Sequence, residues 1–190
     1  MKYDFSQNSD TELFSMLSGE KKRAESAFAE LYARHASRVF AYCRRFLNDA
    51  NEAQDVFQEV FVKFFESAKQ DREMANVPGF LLTIARNHCL NLLRGQKPVV
   101  SFEDYMAVNQ PNHSAESDEL LNLITMAIDL LQPDYKEVFI LREYEDFSYQ
   151  EIADITNTTV STVKIRIYRA KQKLREILQP YMADLIKHEK

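Results

Sequence analysis

The sequence predicts an all-α protein built of two helical domains joined by an extended acidic linker. Three observations carry this. Only 3 Gly and 5 Pro occur in 190 residues, and strong helix formers dominate the rest. Apolar residues recur at three- and four-residue spacing in one segment after another. Between residues 97 and 118 that periodicity stops, and Pro98, Pro111 and several Asn and Ser take its place. Such a length without periodicity is uncommon inside a compact domain and is expected to join two. The boundaries expected are 9–96, 97–118 and 119–182. A hydrophobic content of 45% suffices for packed cores and excludes a disordered chain.

In the first unit, Ser9 and Glu12 form a capping box that opens a helix over 11–18, and Gly19 suits its end. A long helix is expected from Ala24 to Leu47, with Phe28, Leu31, Tyr32, Val39 and Tyr42 on its apolar side. Residues 48–51 (Asn-Asp-Ala-Asn) make a turn, and Glu52 to Ser67 forms the next helix. Residues 69–79 are polar, end in Pro78-Gly79, and are expected as a loop. A helix from Phe80 to Arg94 follows, burying Leu81, Ile84, Ala85, Cys89 and Leu92. In the second unit, helices are expected over 120–131 and 134–144. A short one follows over 149–156, and a long one runs from Val160 or Ser161 to Leu178, before Pro180.

Whole-chain features bound the function. The formal net charge of −5 argues weakly against nucleic-acid binding, but the charge is unevenly distributed. No apolar run approaches the ~20 residues of a membrane span, and Met1 to Asp10 is polar, so a cytoplasmic protein without membrane insertion is expected. Cys43 and Cys89 are far apart and are expected as buried thiols. His35, His88, His113 and His188 lie at no metal-ligand spacing, so no metal or cofactor is expected. The sequence shows no paired carboxylates in a cleft pattern, no nucleophile elbow and no phosphate-cradling glycine loop, so no enzymatic activity is expected.

The segment from Phe147 to Leu178 carries the clearest motif. Ser148 and Glu151 form a second capping box. Asn157 sits where the chain leaves the short helix, in a position that tolerates the left-handed conformation. Thr158 and Thr159 complete a tight turn, Val160 packs under it, and Thr159 or Ser161 is placed to cap the next helix. Two helices joined this way make a helix-turn-helix. In the second, Val163, Ile167, Ala170, Leu174 and Ile177 share one stripe. Lys164, Lys171 and Arg175 flank it on one edge and Arg166, Arg169 and Lys173 on the other, while Ile165, Tyr168 and Gln172 face outward. From Ile155 to Arg175 there are six basic residues and no acid. Such a helix suits the major groove, with cations toward phosphates, outward residues toward base edges, and Ile165 against a thymine methyl. Thr162, Lys164, Ile165, Arg166, Tyr168, Arg169, Gln172 and Lys173 are the candidate DNA contacts. A solvated basic helix face remains the plain alternative.

In the helix over 52–67, Ala53, Phe57, Val60, Phe61 and Phe64 form the core stripe. Asp55, Gln58, Glu59, Val62 and Glu66 lie opposite, an acidic face around one valine that suits a basic protein better than DNA. A solvated acidic face is the alternative there. In the helix over 80–94, Arg86, Asn87, Asn91 and Arg94 are the polar candidates, with side chains that meet bases and phosphates.

These motifs together resemble a family. Leu131-Gln132-Pro133, Val138-Phe139, Leu141-Arg142, YQEIADI and VSTVKIRIYRAKQKLRE resemble the fourth conserved domain of bacterial sigma factors. AFAELYARH (27–35), DVFQEVFVKFF (55–65) and FLLTIARNHCLNLLR (80–94) resemble the second. The family commonly has Gly at two points where this chain has Asn157 and Ser161, and often Trp at the position of Phe80. With only these two domains, the layout is similar to the extracytoplasmic-function group. The resemblance implies docking of the 55–66 face on the clamp coiled coil of the largest RNA polymerase subunit, and a contact with the flap of the second-largest. It implies that the helix-turn-helix reads the upstream promoter element. The helix over 80–94 and the loop before it would then open the downstream element, with Arg72, Asn76 and Phe80 around a base turned out of the duplex. It implies a linker threading toward the RNA path, and it makes an anti-sigma factor a possible partner. Recruitment by another DNA-targeting protein stays open, as does a stand-alone helix-turn-helix regulator that needs no polymerase.

Overall fold

The computed structural model describes residues 4–70, 74–93 and 116–188, with side chains described over 4–70, 74–93 and 120–181. Among them are eight α-helices and no strand, so the fold is all-α as the composition predicts. The chain divides into two units at Arg94 and Gly95.

The first unit holds α1 (Asp10–Met16), α2 (Lys21–Leu47), α3 (Ala50–Ser67) and α4 (Val77–Leu93), with a short 3-10 turn at Ala68–Gln70. The Ser9–Glu12 capping box forms: the Glu12 carboxylate accepts from the Ser9 N–H at 2.8 Å, and the Ser9 hydroxyl accepts from the Glu12 N–H at 3.3 Å. These bonds hold the Glu12 carboxyl below its ordinary range, the backbone bond from Ser9 contributing most. The turn between α2 and α3 is shorter than expected. Asn48 ends α2 in the left-handed conformation at φ 58°, and Asp49 caps α3 by accepting from Asn51 and Glu52 at 2.8 and 2.9 Å. Both helices therefore end on adjacent residues, and Ala50 and Asn51 become helical.

The expected loop up to Gly79 is also corrected, because Pro78 and Gly79 lie in the first turn of α4. Proline fits there, since first-turn N–H groups have no intrahelical acceptor. The core between these helices contains Leu13, Leu31, Val39, Tyr42, Phe46, Val60, Phe64, Leu81 and Leu82, all fully or nearly fully buried. Leu92, expected inside, is 41% exposed, and Leu82 is buried in its stead. Helix angle sets the side a residue faces, but cover at the last turn depends on where the neighbouring helices end. Cys43 and Cys89 are buried free thiols, as expected.

Arg34 fastens the N-terminal segment to α2. Its guanidinium donates to the Asn8 carbonyl (2.8 Å), Asp10 (2.9 Å), the Phe5 and Ser6 carbonyls (both 3.1 Å) and Glu30 (2.9 Å). Asp10 also meets His35 at 2.6 Å. Only the planar guanidinium offers five donors in this fan. Arg34→Ala is expected to destabilise the unit by about 3 kcal/mol, because it strands several acceptors at once. Arg34→Lys should recover only part of that. Urea denaturation measures both, and a loss below ~1 kcal/mol for the alanine variant would show the segment is not held this way.

The second unit holds α5 (Glu116–Asp129), α6 (Pro133–Glu143), α7 (Tyr149–Thr156) and α8 (Val160–His188). Helix α5 starts at Glu116, inside the stretch expected as linker. The rest of that stretch, 97–115, lies outside the described residues. Helix α8 does not stop before Pro180 but runs through it. One proline removes one backbone bond, and Ile177, Leu178 and Tyr181 offset this by packing on the cluster of Leu123, Met126, Ala127, Ile128 and Leu131. A buried ion pair between Lys136 and Asp129, at 2.7 Å, ties α6 to the end of α5.

Candidate DNA and protein interfaces

The helix-turn-helix forms as its sequence requires. The Ser148–Glu151 box closes, with the Glu151 carboxylate accepting from the Ser148 N–H at 2.8 Å. Asn157 ends α7 at φ 51°, and the Thr158 N–H reaches back to the Ala153 carbonyl at 2.9 Å. Thr159, not Ser161, caps α8: its hydroxyl accepts from the Thr162 N–H at 3.1 Å. The Thr162 hydroxyl lies 2.9 Å from that of Thr159, so this candidate contact belongs first to the cap.

Burial of Val163, Ile167, Ala170 and Leu174 turns the opposite side of α8 outward. Ile165 is 50% exposed and Tyr168 is 70% exposed, the largest value among the exposed large hydrophobic residues. Gln172 is exposed with them. The cations are more partnered than two free rows would be. Arg166 donates to Asp134 in the first turn of α6, and Arg169 approaches the Tyr135 hydroxyl at 3.5 Å. Lys171 meets Glu143 at 2.8 Å and Lys173 meets Glu176 at 3.0 Å. The Lys164 ammonium lies 5.7 Å from the centre of the Tyr149 ring, which Arg142 also approaches at 5.1 Å. Three of these partners, Asp134, Tyr135 and Glu143, stand 28 to 34 residues away, so no local sequence signal announces them.

The candidates on and before α4 do not converge on one pocket among the described residues. Asn76 is the N-cap of α4, its side-chain oxygen accepting from the Gly79 N–H at 2.8 Å. Phe80 is half-buried, with its ring 6.2 Å from that of Phe64. Arg86, Asn87 and Asn91 lie farther along; Asn91 is about 16 Å from Phe80 by helical rise. Arg86 donates to Asn87 at 3.2 Å. Arg72 and Arg94 lie outside the described residues. Neither Leu31–Leu47 nor Val77–Leu93 contains an acid. The cap explains the glycine: a Cβ at Gly79 would lie 2.8 Å from the Asn76 side-chain nitrogen. Gly79→Ala and Asn76→Ala are each expected to cost about 1 kcal/mol, and the double variant little more than either. Additive losses in thermal unfolding would mean that the two residues do not act through one cap.

On α3, Asp55, Gln58, Val62 and Glu66 are exposed and Glu59 is half-buried. Val62 is 51% exposed. Lys63 interrupts the acidic face, 3.8 Å from Glu59 and 3.3 Å from Glu66. Beside Val62 a groove of about 610 Å³ opens between α2 and α3. Phe28, Tyr32, Phe57, Phe61 and Phe65 line it, and Glu25, Gln58, Glu66 and Lys69 lie at its polar edge. Its rings pack edge to face, Phe28 on Phe65 at 5.4 Å and Phe57 on Phe61 at 5.3 Å. Phe28 and Tyr32, expected in the core by periodicity, line this groove instead, and Tyr32 is 41% exposed. The density of aromatics over 28–32 and 57–65 was the available sign.

Residues 31–99 match the family model described as Sigma-70 region 2, and residues 121–174 match that of Sigma-70, region 4. The RNA polymerase sigma-H factor of Pseudomonas aeruginosa is 31% identical over 192 residues, covering 94% of this chain and 98% of that protein. The ECF RNA polymerase sigma factor SigW of Bacillus subtilis is 29% identical over 84% of this chain and 92% of its own. In fold, the chain is similar to CnrH, solved with the cytosolic domain of CnrY. The TM-score is 0.69 at 22% identity, covering 90% and 97% of the two chains. It is also similar to the sigma factor RpoE of Bartonella quintana, solved with the anti-sigma factor NepR. There the TM-score is 0.64 at 22% identity, over 80% and 96%.

Proposed function

The chain belongs to the sigma-70 family of RNA polymerase sigma factors, in its extracytoplasmic-function group; from that premise we propose that it binds core RNA polymerase and directs it to promoters. The observation that carries this is the pairing, in one chain, of a helix-turn-helix whose reading helix is basic and acid-free with a separate unit bearing an apolar groove edged by acids. The first suits DNA. The second suits a protein surface that offers apolar side chains ringed by cations. The proposed dock is the face of Asp55, Gln58, Glu59, Val62 and Glu66 together with the aromatic groove, its partner the clamp coiled coil of the largest subunit. The second unit is proposed to meet the flap of the second-largest subunit and to present α8 to the upstream element. Phe80, Arg86, Asn87 and Asn91, with Arg72 and Arg94, are proposed to act on the downstream element as it opens, while Asn76 holds the start of α4.

The chain is proposed to work in the cytoplasm, as a transcription initiation factor rather than a catalyst. Among the described residues no helix is long and apolar enough to cross a membrane. An anti-sigma factor is proposed as the partner that holds it idle, supported by the likeness in fold to a sigma factor solved with one.

Transcription from a genomic DNA library by purified core polymerase, with and without the chain, tests the main proposal. Discrete start sites that need the chain support it. Binding to DNA with no binding to polymerase would overturn it in favour of a stand-alone regulator.

A further inference from the structure

We propose that the upstream element is discriminated chiefly through thymine methyl groups, by Ile165 and Tyr168. The proposal rests on α8 entering the major groove. Within that frame the cations flanking α8 are disposed toward its edges. Arg166 and Arg169 lean on Asp134 and Tyr135 of α6, and Lys171 on Glu143. Two large side chains stand clear at the centre, Ile165, 50% exposed, and Tyr168, 70% exposed, three residues apart and so on one face, with the polar Gln172 one turn beyond them. An isoleucine side chain has no hydrogen-bonding group, so it gains only by covering an apolar partner. Along the major groove of DNA the apolar group on a base edge is the C5-methyl of thymine. The occupant is DNA rather than protein because the face lies within a stretch of six basic residues and no acid, from Ile155 to Arg175. The arginines then supply affinity through phosphates, and Ile165 with Tyr168 supplies sequence preference.

Uracil is thymine without that methyl, which gives a direct test. The full chain with core polymerase is used to select from duplexes carrying a randomised upstream segment. The selected duplex is then resynthesised with uracil replacing thymine at one position at a time within that segment. At one or two positions uracil should weaken binding about fourfold. The penalty at each should disappear in Ile165→Ser or in Tyr168→Ser, both exposed positions where the fold does not depend on the side chain. Selection of an upstream sequence that tolerates uracil everywhere overturns the proposal while leaving the groove docking of α8 intact. Failure to select any upstream sequence overturns that docking itself. Equal loss on thymine and uracil duplexes in Ile165→Ser, or weakened association with core polymerase, would show that the residue contacts something other than a methyl group.

Discussion

Reversing Asp55 and Glu59 together to lysine is expected to weaken association with core polymerase by on the order of a hundredfold, with the fold intact. Asp55 is exposed and Glu59 half-buried on the outward side of α3, next to Val62 and the aromatic groove. Neither contributes to the core stripe, so unfolding should change by no more than ~0.5 kcal/mol. If the proposed dock meets a basic surface, placing two cations against it costs several kcal/mol through like-charge contact, and the groove cannot offset this once the approach is blocked. In the proposed dock the groove supplies the apolar anchor and the acids orient it. Competition for core polymerase against a labelled sigma factor measures the effect, with circular dichroism as the control for folding. Undiminished competition would remove the acidic face from the dock. A parallel Val62→Glu variant, which lowers apolarity while adding an acid, separates the roles: it should also weaken binding, through the groove rather than through charge.

The variant Arg166→Ala with Arg169→Ala should bind promoter DNA on the order of a hundredfold more weakly while associating normally with polymerase. Each charge-assisted contact of an arginine with a phosphate is worth about 1.5–3 kcal/mol. Asp134 engages one nitrogen of the Arg166 guanidinium, which leaves the remaining donors of the fork for a phosphate. Because phosphates carry no sequence, the loss should be similar on selected and unselected duplexes. The slope of log affinity against log salt should become shallower by about 1.8. This separates the arginines from Ile165 and Tyr168, whose removal should lower preference and leave the salt slope alone. Loss of polymerase association together with DNA binding would point instead to a damaged second unit, since Arg166 also braces α8 against α6.

The elements that were legible in the sequence share one property: they are fixed by residues close together in the chain. The two Ser–Glu boxes, the left-handed exit at Asn157 and the outward placement of Ile165 and Tyr168 follow from spacings of three or four residues, which helical geometry turns into contacts. Where sequence and structure parted, a competing local rule or a distant neighbour decided. Pro78 signalled a loop, yet a helix accepts proline in its first turn when a residue such as Asn76 caps it. Pro180 signalled a stop, but packing of Tyr181 and its neighbours carries α8 onward. Periodicity assigned Phe28 and Tyr32 to the core, and they are indeed on the side of α2 that meets α3. Whether a third element covers that seam is not written in α2.

The sequence by itself therefore determined which helices form, the two Ser–Glu capping boxes, the helix-turn-helix and the sign of each charged face, but not the ends of α4, α5 and α8 or the caps at Asp49 and Asn76. Tertiary structure alone decided the aromatic groove between α2 and α3, the bracing of Arg166 and Arg169 by Asp134 and Tyr135, and the fan of bonds from Arg34 to the N-terminal segment. The reason is physical. Backbone hydrogen bonds and helical periodicity act over a few residues and leave a local signature. A groove or a long-range ion pair exists only once helices 20 or more residues apart have packed, and its position depends on the volume of every side chain between them.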